Sequence, residues 1–108
     1  MDFLPLFFDL KQSTALVFGA SDAAARKVEI LLKANCRVVL VTETLNTSLK
    51  GYLDSPLFEH YLALNDSLWD SANIVIAATD DASVDEQISD QAKSLKIPVN
   101  VVNRADLS

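Results

Sequence analysis

The stretch Ala15-Leu16-Val17-Phe18-Gly19-Ala20-Ser21-Asp22-Ala23-Ala24 decides the fold, because an apolar β-prone run enters a glycine directly and then turns polar. That order reads as strand, tight turn and helix start. From Asp22 to Ala34 the apolar residues Ala24, Val28, Leu31 and Leu32 share one helical face, and Asp22 is placed to cap the helix. Val38-Val39-Leu40-Val41 follows as an unbroken apolar run, the mark of a strand covered on both faces in a parallel sheet. The opening unit is therefore βαβ.

Outward from this unit the alternation continues. Thr47 to Leu53 reads as a short helix, Phe58 to Leu64 as a strand and Asp66 to Ser71 as a turn or short helix. Ile74 to Ala78 is another buried-type strand. A helix from about Ala82 to Lys96 comes next, with Val84, Ile88, Ala92 and Leu95 as its apolar face. Asp81, Asp85 and Glu86 near its start and Lys93 and Lys96 near its end match the helix dipole, and Ile97-Pro98 stops it before a strand from Val99 to Val102. Parallel strands need right-handed helical crossovers, so the economical α/β fold is an open, doubly wound parallel sheet of about five strands with helices on both faces.

Composition narrows the function. A chain of 108 residues with formal charge −6 is one compact domain, and its acidity argues against nucleic acid as a partner. A lone cysteine, Cys36, and a lone histidine, His60, leave no zinc-type cluster and fit a reducing cytoplasm. The first ten residues lack the basic start and cleavage site of a signal peptide, and no apolar run reaches membrane-spanning length. A phosphoacceptor receiver domain shares the alternation, but its acidic pair, mid-sheet aspartate and late lysine are absent from the sequence.

Ligands of doubly wound sheets bind at the carboxyl ends of the strands. Those ends are Gly19-Ala20-Ser21-Asp22, Thr42-Glu43-Thr44, Ala78-Thr79-Asp80-Asp81 and Asn103-Arg104. The first is where a dinucleotide fold carries G-x-G-x-x-[GA]; Gly19 and Ala24 keep two of those positions, while Ser21 stands where a glycine lets the backbone approach phosphate. An ordinary capped strand-to-helix turn explains the same residues. Glu43, at the end of the second strand, suits ribose hydroxyls or solvent, and Thr79 with Asp80 and Asp81 suits a helix cap or a ligand contact. His60, Cys36 and Trp69 read as packing or surface residues.

Leu4-Pro5-Leu6-Phe7, Asp9-Leu10, Leu16-Val17-Phe18-Gly19, Ala24, Arg26-Lys27, Ala77-Ala78-Thr79-Asp80-Asp81 and Asn100-Val101-Val102 occur together and in order. Over nearly its whole length the chain resembles the N-terminal NAD-binding domain of the siroheme synthase family, the precorrin-2 dehydrogenases and sirohydrochlorin ferrochelatases. The resemblance implies a Rossmann-like domain over residues 1–108, the N-terminal part of a longer architecture. It also implies NAD-dependent oxidation of precorrin-2 to sirohydrochlorin, with ferrous iron as a further substrate in the same or an adjoining site and no resident metal. Gly19, Ala20, Ser21, Asp22 and Ala23 would hold the pyrophosphate, Glu43 and Thr44 the adenosine end, and Thr79 and Asp80 the nicotinamide side.

The sequence departs from the family pattern twice. Gly19-Ala20-Ser21 replaces Gly-Gly-Gly, adding side chains that crowd the pyrophosphate, although a serine hydroxyl can also donate to a phosphate oxygen. Asn100-Val101-Val102-Asn103 replaces Asn-Val-Val-Asp, and an amide at Asn103 is neither a general base nor a good metal ligand. Asp106 is a substitute carboxylate if the tail turns back, and Arg26, Lys27 and Arg104 are the basic residues available to a polycarboxylate tetrapyrrole. Family members continue into a helical dimerisation region, so a homodimer is expected only where such a region is present. The alternative reading is a non-catalytic dinucleotide-binding or interaction module that kept the fold.

Overall fold

The computed structural model describes residues 11–102. Its elements, in chain order, are β1 (Thr14–Phe18), α1 (Asp22–Lys33), β2 (Arg37–Val41), α2 (Thr47–Lys50), β3 (Phe58–Tyr61), a 3-10 turn (Asp66–Trp69), β4 (Ile74–Ala77), α3 (Ala82–Ser94) and β5 (Val99–Val101). All pairings are parallel, in the order β3-β2-β1-β4-β5. The order reverses beside β1, which makes the gap between the carboxyl ends of β1 and β4 the topological switch point.

Strand residues alternate between two cores, as the period-2 pleat requires. Ala15 and Val17 join Val38, Leu40 and Ile76 beneath Ala24, Val28 and Leu31 of α1 and Leu49 of α2. Leu16 and Phe18 join Val39, Val41 and Val75 on the opposite face, beneath Trp69 of the 3-10 turn and Ile88 and Ala92 of α3. The continuous apolar runs of β1, β2 and β4 follow from this double coverage. Trp69 packs on Phe18 with ring centroids 5.6 Å apart, consistent with its reading as a packing residue.

Several boundaries differ from the sequence expectation. β3 stops at Tyr61 rather than Leu64, because its only neighbour among the described residues, β2, ends at Val41 opposite Tyr61. A longer strand would have no partner. The helix after Gly19 is capped by Ser21, not Asp22: the Ser21 hydroxyl accepts the Ala24 amide at 3.1 Å, and Asp22 is the first helical residue. α2 closes after one turn at Lys50 rather than reaching Leu53. α1 and α3 end at Lys33 and Ser94 because Asn35 and Lys96 adopt left-handed φ of 61° and 60°. The Cys36 and Ile97 amides then bond back to Leu31 and Ala92, closing the helices ahead of Pro98.

The buried face of α3 is also rotated from the expected one. Asp85, Ile88, Ser89 and Ala92 face inward, while Val84 and Leu95 are 37% and 46% exposed. Both line an apolar groove of about 680 Å³ between α3 and the 3-10 turn, above Phe18 and Val41. Among the described residues, no helix is long and apolar enough to cross a membrane.

Candidate functional site at the strand ends

Register brings the strand ends level, since Phe18 pairs with both Val41 and Ala77. The residues that follow, Gly19, Thr42 and Ala78, therefore stand side by side. Gly19 has φ +114°, and a Cβ on it would lie 2.1 Å from the Ala78 carbonyl oxygen and 2.8 Å from the Thr79 nitrogen. Glycine is required here by the backbone of β4 as much as by any ligand.

Around this junction lies a cavity of about 580 Å³. Six of the sequence-predicted residues line it: Gly19, Ala20, Glu43, Thr44, Thr79 and Asp80. Leu62, Leu64 and Val84 supply an apolar wall, and Leu64 and Val84 also border the groove along α3. Ser21, Asp22 and Ala23 are not among the lining residues. Asp22 is exposed beside Arg26, Ser48 and Tyr52 in a separate depression. Asn103, Arg104 and Asp106, with the Leu4-Pro5-Leu6-Phe7 motif, lie outside the described residues.

Ser21 behaves differently from the sequence expectation. Its hydroxyl donates to the Ala78 carbonyl at 3.1 Å while accepting the Ala24 amide, so its proton points into the fold and not toward a phosphate. The side chain stitches the glycine turn to β4 instead of crowding the cavity. Asn46 was not singled out from sequence, yet it does comparable work: Nδ2 donates to the Ala20 carbonyl at 2.8 Å while Oδ1 caps α2 through the Leu49 amide. An asparagine before a short helix signals the cap, but the bond to Ala20 spans residues that only the fold brings together.

The other wall is built by the β4–α3 loop. Thr79 donates its amide at 3.1 Å and its hydroxyl at 2.6 Å to Oδ1 of Asp85, a carboxylate only 5% exposed. Asp81 caps α3 by accepting the Ser83 and Val84 amides and the Ser83 hydroxyl. Those bonds, the Ser83 hydroxyl first, hold its carboxyl below the ordinary aspartate value of 3.8. Its contribution to stability is therefore complete above the unfolded value and disappears as pH falls through the lower folded one. We expect Asp81→Asn, which keeps a capping acceptor, to leave neutral-pH stability nearly unchanged and to flatten the acid limb of a urea-midpoint profile below about pH 4.

The remaining candidates have structural partners. His60 Nε2 donates to the Thr42 carbonyl at 2.8 Å, which ties β3 to the loop after β2. Cys36 is buried, and burial pushes its thiol pKa up, leaving a packed thiol rather than a nucleophile.

The fold and this cavity define a Rossmann-like α/β domain with a crevice at the topological switch point. Residues 6–108 match the family model described as "Putative NAD(P)-binding", and the chain belongs to that family. It is 41% identical to the siroheme synthase of Nitrosospira multiformis and 39% identical to that of Nitrosomonas europaea, in each case over 99% of this chain. The chain spans 24% and 23% of those two proteins. Among solved structures, SirC, a precorrin-2 dehydrogenase, superposes with a TM-score of 0.72 at 19% identity, over 93% of this chain and 49% of that one. That likeness bears on the fold.

Proposed function

We propose that residues 1–108 form the NAD-binding domain of a siroheme-forming enzyme, the N-terminal part of a longer protein that oxidises precorrin-2 to sirohydrochlorin. The observation that carries this reading is the 41% identity sustained along 99% of the chain to a siroheme synthase.

The residues present fit a dinucleotide. The crevice has the volume of a small-molecule site, and the two residues of the glycine turn that line it, Gly19 and Ala20, lead directly into the N-terminus of α1. Ser21 does not obstruct them, because its hydroxyl is engaged with Ala78. Gly19 and Ala20 admit the pyrophosphate close to the backbone. Glu43 and Thr44 receive the adenosine ribose, and the Glu43 carboxylate repels a 2′-phosphate, favouring NAD⁺ over NADP⁺. On the nicotinamide side, Thr79 and Asp80 line the crevice, with the Thr79 amide and hydroxyl both donating to Asp85.

Bound NAD⁺ supplies the hydride acceptor, so conversion of precorrin-2 to sirohydrochlorin delivers one hydride to the cofactor and one proton to a base. The base position in the family pattern is Asn103, and an amide does not take that proton. This single residue favours the second reading, a non-catalytic module. In the full-length protein, Asn103→Asp is expected to raise NADH formation from precorrin-2 and NAD⁺ about tenfold or more. An unchanged rate would replace the enzyme reading with the non-catalytic one. Ferrous iron enters this proposal only as a substrate, and among the described residues no group of three or more His, Cys, Asp or Glu gathers to hold it.

A further inference from the structure

One peptide unit at the end of β4 is held from both ends. Its carbonyl, on Ala78, accepts the Ser21 hydroxyl at 3.1 Å, and its amide, on Thr79, donates to Asp85 Oδ1 at 3.1 Å. Ser21 is the N-cap of α1, and Asp85 sits at the start of α3. Two helix N-termini are thus joined through a single planar group. The same unit rests against Gly19, where even a methyl group would collide with it.

The Asp85 end is fixed further by the Thr79 hydroxyl, which donates to the carboxylate and accepts the Asp81 amide at 3.3 Å. A carboxylate on the buried face of a helix is costly unless donors satisfy it, and here the donors come from the loop that borders the crevice. A peptide unit is rigid, so a change at either hydrogen bond tilts the whole unit. The glycine turn and the β4–α3 loop then shift relative to each other.

We propose that Ser21 and Asp85 are positioning residues for the dinucleotide, acting through the Ala78–Thr79 peptide to set the separation of the loops that receive its two halves. The inference rests on the dinucleotide-binding reading above. It also gives Ser21 a role of its own in place of the family's glycine. A ligand that spans both loops senses the separation, whereas AMP, confined to the adenosine end, does not.

Calorimetric titration with NAD⁺ and with AMP separates this role from a merely structural one. Ser21→Ala and Asp85→Ala are each expected to weaken NAD⁺ about tenfold while changing AMP by less than about twofold. The double variant should lose less than the product of the single losses, because both act through one group. Asp85→Asn, which keeps the Oδ1 acceptor, should bind NAD⁺ like the unaltered chain. Equal losses for NAD⁺ and AMP, or Asp85→Asn as damaging as Asp85→Ala, would overturn the inference alone. Should Asp85→Ala fail to fold, the NAD⁺-selective loss in Ser21→Ala decides. Absence of NAD⁺ binding by the unaltered chain would overturn the dinucleotide reading and this inference with it.

Discussion

Gly19→Ala is expected to destabilise the domain by about 3–5 kcal/mol, enough to leave much of a marginally stable chain unfolded at 25 °C. Two penalties combine. A φ of +114° is strained for any residue with a Cβ, and that Cβ would stand 2.1 Å from the Ala78 carbonyl oxygen and 2.5 Å from its carbon. Relief requires β4 to move away from β1. Yet Ala78 N donates to Phe18 O at 2.9 Å, while Gly19 is held from the other side by its amide bond to Val41 O at 3.1 Å, so the movement would also break the β1–β4 ladder at the centre of the sheet. Urea unfolding of the variant should show the midpoint collapse with little change in slope. A loss below about 1 kcal/mol would mean that the β1–β4 junction is looser than the structure describes.

Asp85→Ala is the second large effect, with a cost of about 2–3 kcal/mol. Removing the carboxylate leaves the Thr79 amide without its acceptor and the Thr79 hydroxyl with only its longer bond, 3.0 Å, to the Asp81 carbonyl, in a site whose burial limits replacement by water. Relief of the desolvation of Asp85 itself offsets part of that loss. Asp85→Asn preserves an acceptor at the same position and should cost about 1 kcal/mol or less. Thermal unfolding of the two variants side by side distinguishes a lost acceptor from a lost charge. Equal destabilisation would show that charge, not hydrogen bonding, holds the β4–α3 loop.

Much of this architecture is legible in the sequence because sheet burial and helix periodicity leave strong marks. Ala15 to Phe18, Val38 to Val41 and Ile74 to Ala77 are apolar without interruption, since both faces of each strand are covered. The helical face of α1 is legible for a related reason: Ala24, Val28 and Leu31 all meet the sheet. Errors concentrate where neighbours in space decide. Leu62 and Leu64 resemble strand residues but stand 67% and 44% exposed, because the ladder with β2 ends at the Val41–Tyr61 pair. Val84 belongs to the apolar pattern of α3, yet Asp85 takes the buried position beside it to serve Thr79. Periodicity cannot register a carboxylate whose donors come from a loop.

The site was legible in outline for the same reasons. Strand ends can be counted from the sequence, so Gly19, Ala20, Glu43, Thr44, Thr79 and Asp80 were recoverable, and they line one crevice. The partners that shape it were not. Ser21 and Asp22 are both good capping residues, and only the long-range bond to Ala78 explains why the serine takes the cap. Asn46 reaches Ala20 and Asp85 reaches Thr79 through contacts that depend on the assembled sheet.

Calorimetric titration of the unaltered chain with NAD⁺, beside NADP⁺, tests whether this crevice is a dinucleotide site. The account predicts saturable binding of NAD⁺ with a dissociation constant of about 1 mM or tighter, equivalent to about 4 kcal/mol or more, and weaker binding of NADP⁺ on account of Glu43. No heat of binding with NAD⁺, at concentrations well above that value, would contradict it.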